Sequence, residues 1–244
     1  MAILVFADAL DLYGGPMSLY AIGDLHLSLG TEKPMDVFGG RWENYVEKIE
    51  EGFSTLTDDD LTVICGDITW GMTMDEAIED FLFIDRLPGR KIILKGNHDY
   101  WWTTATKAKK FFEEHGIKTI DILHNNCFKY EDIYLCGTRG WLFEGNNNDE
   151  HDKKVMNREV MRLEASLNAA GEGTKYAFLH YPPKFLGNEC PEILELLRKH
   201  DVKQCCYGHI HSAGCAYAFN GMIGNTNFSL VSADYIQFKP KKLV

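Results

Sequence analysis

The chain has 244 residues, 45% of them apolar and 25% charged, which is the composition of a folded globular chain and excludes a disordered, collagenous or coiled-coil one. Its 36 acidic residues outnumber the 25 basic ones, and the formal charge of −11 disfavours a broad basic surface for long nucleic acid. No apolar run approaches the roughly 18 residues of a membrane helix, so a soluble protein that engages no membrane is expected.

Met1 to Leu10 is apolar but lacks the basic flank of a secretion signal and carries Asp8. Gly14-Gly15-Pro16 precedes a second methionine, so residues 1–16 read as a leader or cloning scar and 17–244 as a single domain. Seven cysteines, at 65, 127, 136, 190, 205, 206 and 215, form an odd set without a C-x-x-C spacing, as reduced, buried thiols would. These thiols and the missing secretion signal point to a cytoplasmic protein.

From Leu19 onward, short β-rich runs alternate with segments of helical period, the pattern of a layered αβ protein. Leu19 to Ile22 reads as a strand. Over Arg41 to Leu56, Trp42, Tyr45, Val46, Ile49 and Phe53 form one apolar helical stripe. Leu61 to Cys65 is a second strand, Thr73 to Leu87 a helix ended by Pro88-Gly89, and Lys91 to Leu94 a third strand. A helix over Thr104 to His115 follows. Short strands are then expected over 121–123, 127–130 and 133–136, with Asn125-Asn126 as a hairpin turn between the first two.

Trp141 to Asp152, with Asn146-Asn147-Asn148, reads as a surface loop. A helix over Lys153 to Ala170, a strand over Tyr176 to Leu179, a helix over Pro191 to His200 and a strand-rich remainder complete the chain.

Five clusters stand where a predicted strand turns into a loop: Gly23-Asp24-Leu25-His26, Gly66-Asp67, Gly96-Asn97-His98-Asp99, His180-Tyr181-Pro182 and Gly208-His209-Ile210-His211. Ligands bind at the carboxyl ends of strands in sheets with crossover helices, so distant side chains can converge there. In Asp24-x-His26 and His209-x-His211, extended backbone would point both side chains the same way, as a chelate needs. Carboxylate, imidazole and amide donors together suit manganese, iron or zinc, and the lack of clustered cysteines argues against structural zinc.

These clusters resemble the signature of the calcineurin-like metallophosphoesterase family over residues 23–211. The resemblance implies a four-layer α-β-β-α sandwich of two mixed β-sheets flanked by helices, with a binuclear metal centre. By motif position, Asp24, His26 and His211 would hold one divalent ion, Asn97, His180 and His209 a second, and Asp67 would bridge them. His98 matches the catalytic histidine and Asp99 the carboxylate that orients it. Two such ions clamp a phosphoryl group, and a hydroxide held between them would attack phosphorus while His98 protonates the leaving oxygen.

The expectation is thus a phosphatase or phosphodiesterase acting on a small phosphoester, nucleotide or phosphopeptide. The competing reading is a catalytically silent, metal-binding scaffold for protein interaction. One departure stands out: many relatives continue the second motif as G-D-x-x-Asp or Asn, whereas here Ile68-Thr69 is followed by Trp70. Arg139 is a candidate phosphate fork, since a guanidinium matches phosphate oxygens in pairs, with a surface ion pair as the plain alternative. Tyr100-Trp101-Trp102 is expected to pack the core beneath a loop rather than face a ligand. The loops over Gly30 to Gly40 and Trp141 to Asp152 are candidate cleft rims.

Overall fold

The computed structural model describes residues 3–5, 17–142 and 150–244. It contains two mixed sheets, each flanked by helices, and divides into two compact units, 15–122 with 231–244, and 1–14 with 123–230.

The first unit holds a five-stranded sheet. Its strands are β2 (Leu19–Ile22), β3 (Leu61–Ile64), β4 (Arg90–Ile93), β5 (Ile120–Ile122) and β14 (Lys241–Lys242), in the order β14-β2-β3-β4-β5. Neighbours from β2 to β5 are parallel, and only β14 runs antiparallel, against β2. Parallel neighbours need crossovers, supplied by helices α1 (Tyr45–Phe53), α2 (Ile78–Arg86) and α3 (Ala105–Glu114). Strands covered on both faces read as continuous apolar runs, and Leu61–Ile64 is buried at every position. The helix-facing core gathers Ile22, Ile64 and Ile93 from the strands with Trp42, Tyr45, Ile49, Phe53, Phe81 and Phe112.

The apolar stripe predicted over 41–56 is present, but its first turn is not α-helical. Residues Gly40–Trp42 form a 3-10 turn, and Asn44 takes a left-handed conformation that stops the helix from extending backward. Helix α2 likewise begins at Ile78 because the preceding residues form a turn in which Thr73 Oγ1 accepts from the Glu76 N–H. Leu87 ends it in extended backbone, the conformation that Pro88 imposes on its predecessor. Helix α3 starts after a capping threonine: Thr104 Oγ1 accepts from the Lys107 N–H.

The second unit holds a seven-stranded sheet of β1 (Ile3–Val5), β6 (Cys127–Tyr130), β7 (Ile133–Thr138), β8 (Thr174–Leu179), β11 (Gln204–Tyr207), β12 (Gly221–Ile223) and β13 (Thr226–Leu230). Their order is β1-β6-β7-β8-β11-β13-β12, with β6/β7 and β12/β13 antiparallel and the other neighbours parallel. Helices α4 (Glu150–Ala169) and α5 (Pro191–Lys199) flank it, and β9 (Lys184–Phe185) and β10 (Asn188–Glu189) form a small hairpin.

Two expectations change here. Asn125-Asn126 is not a hairpin turn, because β5 belongs to the five-stranded sheet and β6 to the seven-stranded one. The hairpin is β6 to β7, turned at Glu131-Asp132 with Glu131 left-handed. Residues 150–152 of the expected surface loop instead begin α4, while 143–149 lie outside the described residues. Of residues 1–16, the described Ile3–Val5 form an edge strand parallel to β6, and the others lie outside the described residues. All seven cysteines are buried thiols. Among the described residues no helix is long and apolar enough to cross a membrane.

Candidate metal centre

Registers bring the motif residues of each sheet to one edge. In the five-stranded sheet Ile22 pairs with Ile64 and Ile64 with Ile93, so Asp24, Asp67 and Asn97 all follow the carboxyl ends of adjacent parallel strands. In the seven-stranded sheet Thr138 pairs with Leu179 and Leu179 with Tyr207, so Arg139, His180 and His209 follow the same edge.

In the first unit, Asp24, His26 and Asp67 are all buried, and all three adopt left-handed backbone, with φ of 59°, 47° and 50°. Non-glycine residues rarely take this conformation, and it persists only where surrounding bonds over-determine it. Those bonds lace the first motif to the second. Asp24 N–H donates to the Gly66 carbonyl at 2.9 Å, His26 N–H to the Asp67 carbonyl at 3.0 Å, and Leu27 N–H to the Ile68 carbonyl at 3.0 Å. The Asp24 and His26 side chains do converge, but through these turns and not through the extended alternation expected from the spacing. Ligand atoms of Asp24 lie within 4.8 Å of those of His26 and of Asp67, and His26 Nε2 stands 3.7 Å from Asp67 Oδ2.

The third motif is tied to the second by side chains. His98 N–H donates to Asp67 Oδ1 at 2.8 Å. Asp99, fully buried, accepts from the N–H groups of Gly96 (2.7 Å), Asp67 (2.9 Å) and Ile68 (2.9 Å), from the Trp101 indole (2.9 Å), and at 3.4 Å from Thr69 N–H. Asp99 is therefore a clamp between the β3 and β4 loops, a role absent from the motif-based reading. Gly96 makes the close approach possible: a Cβ there would stand 2.0 Å from Asp67 Oδ1 and 2.3 Å from the Asp67 nitrogen.

Aromatic rings frame this half of the site. Trp70 stacks on His26, with ring centroids 4.9 Å apart at 23°, and tilts against His98 at 4.6 Å. Tyr100, half-exposed, places its hydroxyl 3.4 Å from His98 Nδ1. Trp101 is buried, edge-on to Phe81 at 4.9 Å, so of the aromatic triplet this ring packs the core while Tyr100 faces the candidate catalytic histidine. Asp80, on α2, binds the loops from beneath: it accepts from the Leu29 N–H at 2.7 Å and from the Thr69 hydroxyl. Burial pushes its carboxyl up to about 6, against the pull of those two donors. Nothing in the sequence around Asp80 signals this task, because it sits inside a helical period.

In the second unit, His180 is fully buried, and its N–H and that of Tyr181 both donate to the Arg139 carbonyl, at 3.0 and 2.9 Å. The His180 and His209 rings lie 5.1 Å apart at 74°, and Tyr181 covers His209 at 4.3 Å. His209 is left-handed at φ 71°, whereas His211 is extended at φ −123° and caps a 3-10 turn over Ser212–Tyr217. The Arg139 side chain is one-fifth exposed, 3.7 Å from the buried Glu159, with its guanidinium 5.1 Å over the Trp141 ring. Glu159 also accepts from the Thr138 hydroxyl at 2.7 Å and pairs with Arg162.

The donor set fits a divalent cation. Two carboxylates and an imidazole held this close and out of water repel and lose solvation, and a cation answers both costs. In the first unit Asp24, His26 and Asp67 are the residues that could hold such an ion; in the second unit, taken by itself, His180, His209 and His211 are the candidate donors.

Solved structures share the fold at low identity. A phosphopantetheinyl hydrolase from Mycobacterium tuberculosis is 13% identical with a TM-score of 0.59, covering 95% of this chain and 97% of its own. Protein AQ665 of unknown function from Aquifex aeolicus is 17% identical with a TM-score of 0.52, covering 93% and 96%. TT1561 from Thermus thermophilus is 11% identical with a TM-score of 0.53, covering 91% of each. No curated protein matches the chain in sequence. The family model for calcineurin-like phosphoesterases matches residues 17–213, which contain every cluster described above, and the chain belongs to that family.

Proposed function

We propose that this protein hydrolyses a phosphate mono- or diester, using two divalent ions held by Asp24, His26, Asp67 and Asn97 together with His180, His209 and His211. The observation that carries the reading is the buried Asp24, His26 and Asp67 group, to which the His98 backbone is fixed through Asp67 Oδ1. A scaffold without turnover would not require a partly exposed histidine held against its metal ligands.

When bound, the ions neutralise phosphoryl charge and make a deprotonated water accessible near neutral pH. The chain's own residues supply the rest. Water adds to phosphorus, the ester P–O bond breaks, the departing oxygen takes a proton from His98, and the proton released by the water restores His98. The Asp67 contact holds the His98 backbone, while Trp70 and Tyr100 limit where its ring can turn. Asp99 keeps the β3 and β4 loops in register, so that Asp67 and His98 stay in one fixed relation. Arg139, on the other sheet edge, is a candidate fork for the phosphate.

The test is hydrolysis of a chromogenic aryl phosphomonoester and the matching diester by metal-stripped protein reloaded with manganese. Turnover abolished by Asp67→Asn and lowered about 10²- to 10⁴-fold by His98→Ala, with metal retained in the latter, is the expected result. Turnover unaffected by either substitution would refute the assignment.

A further inference from the structure

We propose that the pocket walled by Pro34, Met35, Val37, Phe38 and Trp70 seats the alcohol part of the ester, and that this part is an apolar chain or ring and not a sugar. The inference rests on the phosphoesterase reading and adds the substrate class to it.

Continuity with the chemistry comes from one side chain. The Trp70 ring that stacks on His26 and leans on His98 also lines a pocket of about 310 Å³, of a size for a small organic group. The Trp70 ring therefore belongs both to the candidate site and to the pocket wall. Beyond Trp70 the lining is Pro34, Met35, Val37 and Phe38, with Glu32 and Lys33 completing it.

Five of the seven lining side chains are apolar, which favours an apolar occupant. The Trp70 indole N–H is already engaged, donating to Met35 Sδ at 3.3 Å, so this wall turns carbon and not a donor toward an occupant. Val37 and Phe38 are 75% and 69% exposed, on a short 3-10 turn over Met35–Phe38 that points two large apolar side chains at water. Covering such surface is favourable for an apolar occupant, whereas a polyol would lose water contacts with only Glu32 and Lys33 to replace them. Loops at strand ends commonly set specificity in this way, and the turn follows directly from the β2 loop that carries Asp24 and His26.

The experiment compares octyl phosphate with ethyl phosphate, whose alcohols are equally poor leaving groups, using the manganese-loaded enzyme and its Val37→Ser/Phe38→Ser variant. Calorimetric binding of octylphosphonate and ethylphosphonate runs alongside. The wild type is expected to favour the octyl ester by about 30-fold or more in kcat/KM, and the double variant to lose at least tenfold of that preference. The phosphonates are expected to show the same ratio in Kd. Equal use and equal binding of the two chain lengths, or a preference that survives the double substitution, would overturn the proposal. Absence of turnover on both esters, with chain-length-dependent phosphonate binding retained, would instead count against the phosphoesterase reading and leave the apolar pocket supported. Both substituted side chains are largely exposed, and an unchanged thermal midpoint verifies that the variant folds.

Discussion

The His98 backbone N–H donates to Asp67 Oδ1 at 2.8 Å, so the candidate bridging ligand and the candidate proton donor are joined by a single hydrogen bond. Any change that displaces Asp67 also displaces the chain at His98.

Gly96→Ala is expected to disable the site without replacing a candidate ligand or His98. A methyl group 2.0 Å from Asp67 Oδ1 and 2.3 Å from the Asp67 nitrogen must push the β3 and β4 loops apart. Overpacking of this kind costs about 1–3 kcal/mol or more in stability. Turnover should fall at least tenfold and manganese affinity should weaken, measured by equilibrium dialysis with metal analysis. Full metal affinity in the variant would show that the loops can yield.

Asp99→Asn is expected to destabilise the fold as well as the site. The substitution puts an amide NH2 where one carboxylate oxygen accepts backbone N–H groups, and hydrogen bonds to a charged acceptor contribute about 1.5–3 kcal/mol each. Loss of about 3 kcal/mol should lower Tm by roughly 6–12 °C for a chain of this size, read by calorimetry. If Asp99 acted on His98 alone, activity would fall with Tm unchanged.

The acid limb of the stability curve should carry the signature of Asp80. Burial raises its carboxyl from the ordinary 3.8 to about 6, so between those values the folded state keeps a proton that the unfolded chain has lost. The contribution, about 3 kcal/mol, is complete below the lower value and is lost as pH rises through the upper one. Asp80→Asn should flatten denaturant midpoints over pH 4–7. Lys91, fully buried with its ammonium on the Leu87 and Gly89 carbonyls, behaves oppositely and elsewhere. Burial lowers it from 10.5 to about 8, so its contribution is present above the first value and lost as pH falls through the second. The two windows do not overlap.

Metal removal should be visible in stability as well as in rate. A ligand that binds only the folded state at 100 times its Kd stabilises by about 2.7 kcal/mol, or roughly 5–11 °C in Tm here. Manganese titrated into the stripped protein should raise Tm by that order, and Asp67→Asn should abolish the rise. An equal rise in the variant would place the ion elsewhere.

Much of this was legible in the sequence. Short runs rich in β-branched and apolar residues, such as Leu61–Ile64, mark buried parallel strands, and glycine followed by Asp or Asn marks the turns at their ends, so the strand-end clusters and the family they belong to follow from residue order alone. Periodicity also located the helices, because an apolar stripe must face a sheet wherever the chain goes. Other features belong to distance through space. The assignment of β5 and β6 to different sheets was decided by pairing, since a short apolar run fits an edge in either. Asp24 and His26 converge through left-handed turns that only cross-loop hydrogen bonds can hold, and a spacing of two carries no sign of them. Asp99 accepts from a backbone N–H 31 residues away and Asp80 from one 51 residues away, where the identity of the partner leaves no local pattern. Trp70 shows the division best: the sequence exposes it as a departure from the motif, and only the fold turns one ring toward two histidines and an apolar pocket, because close packing lets a single side chain wall both.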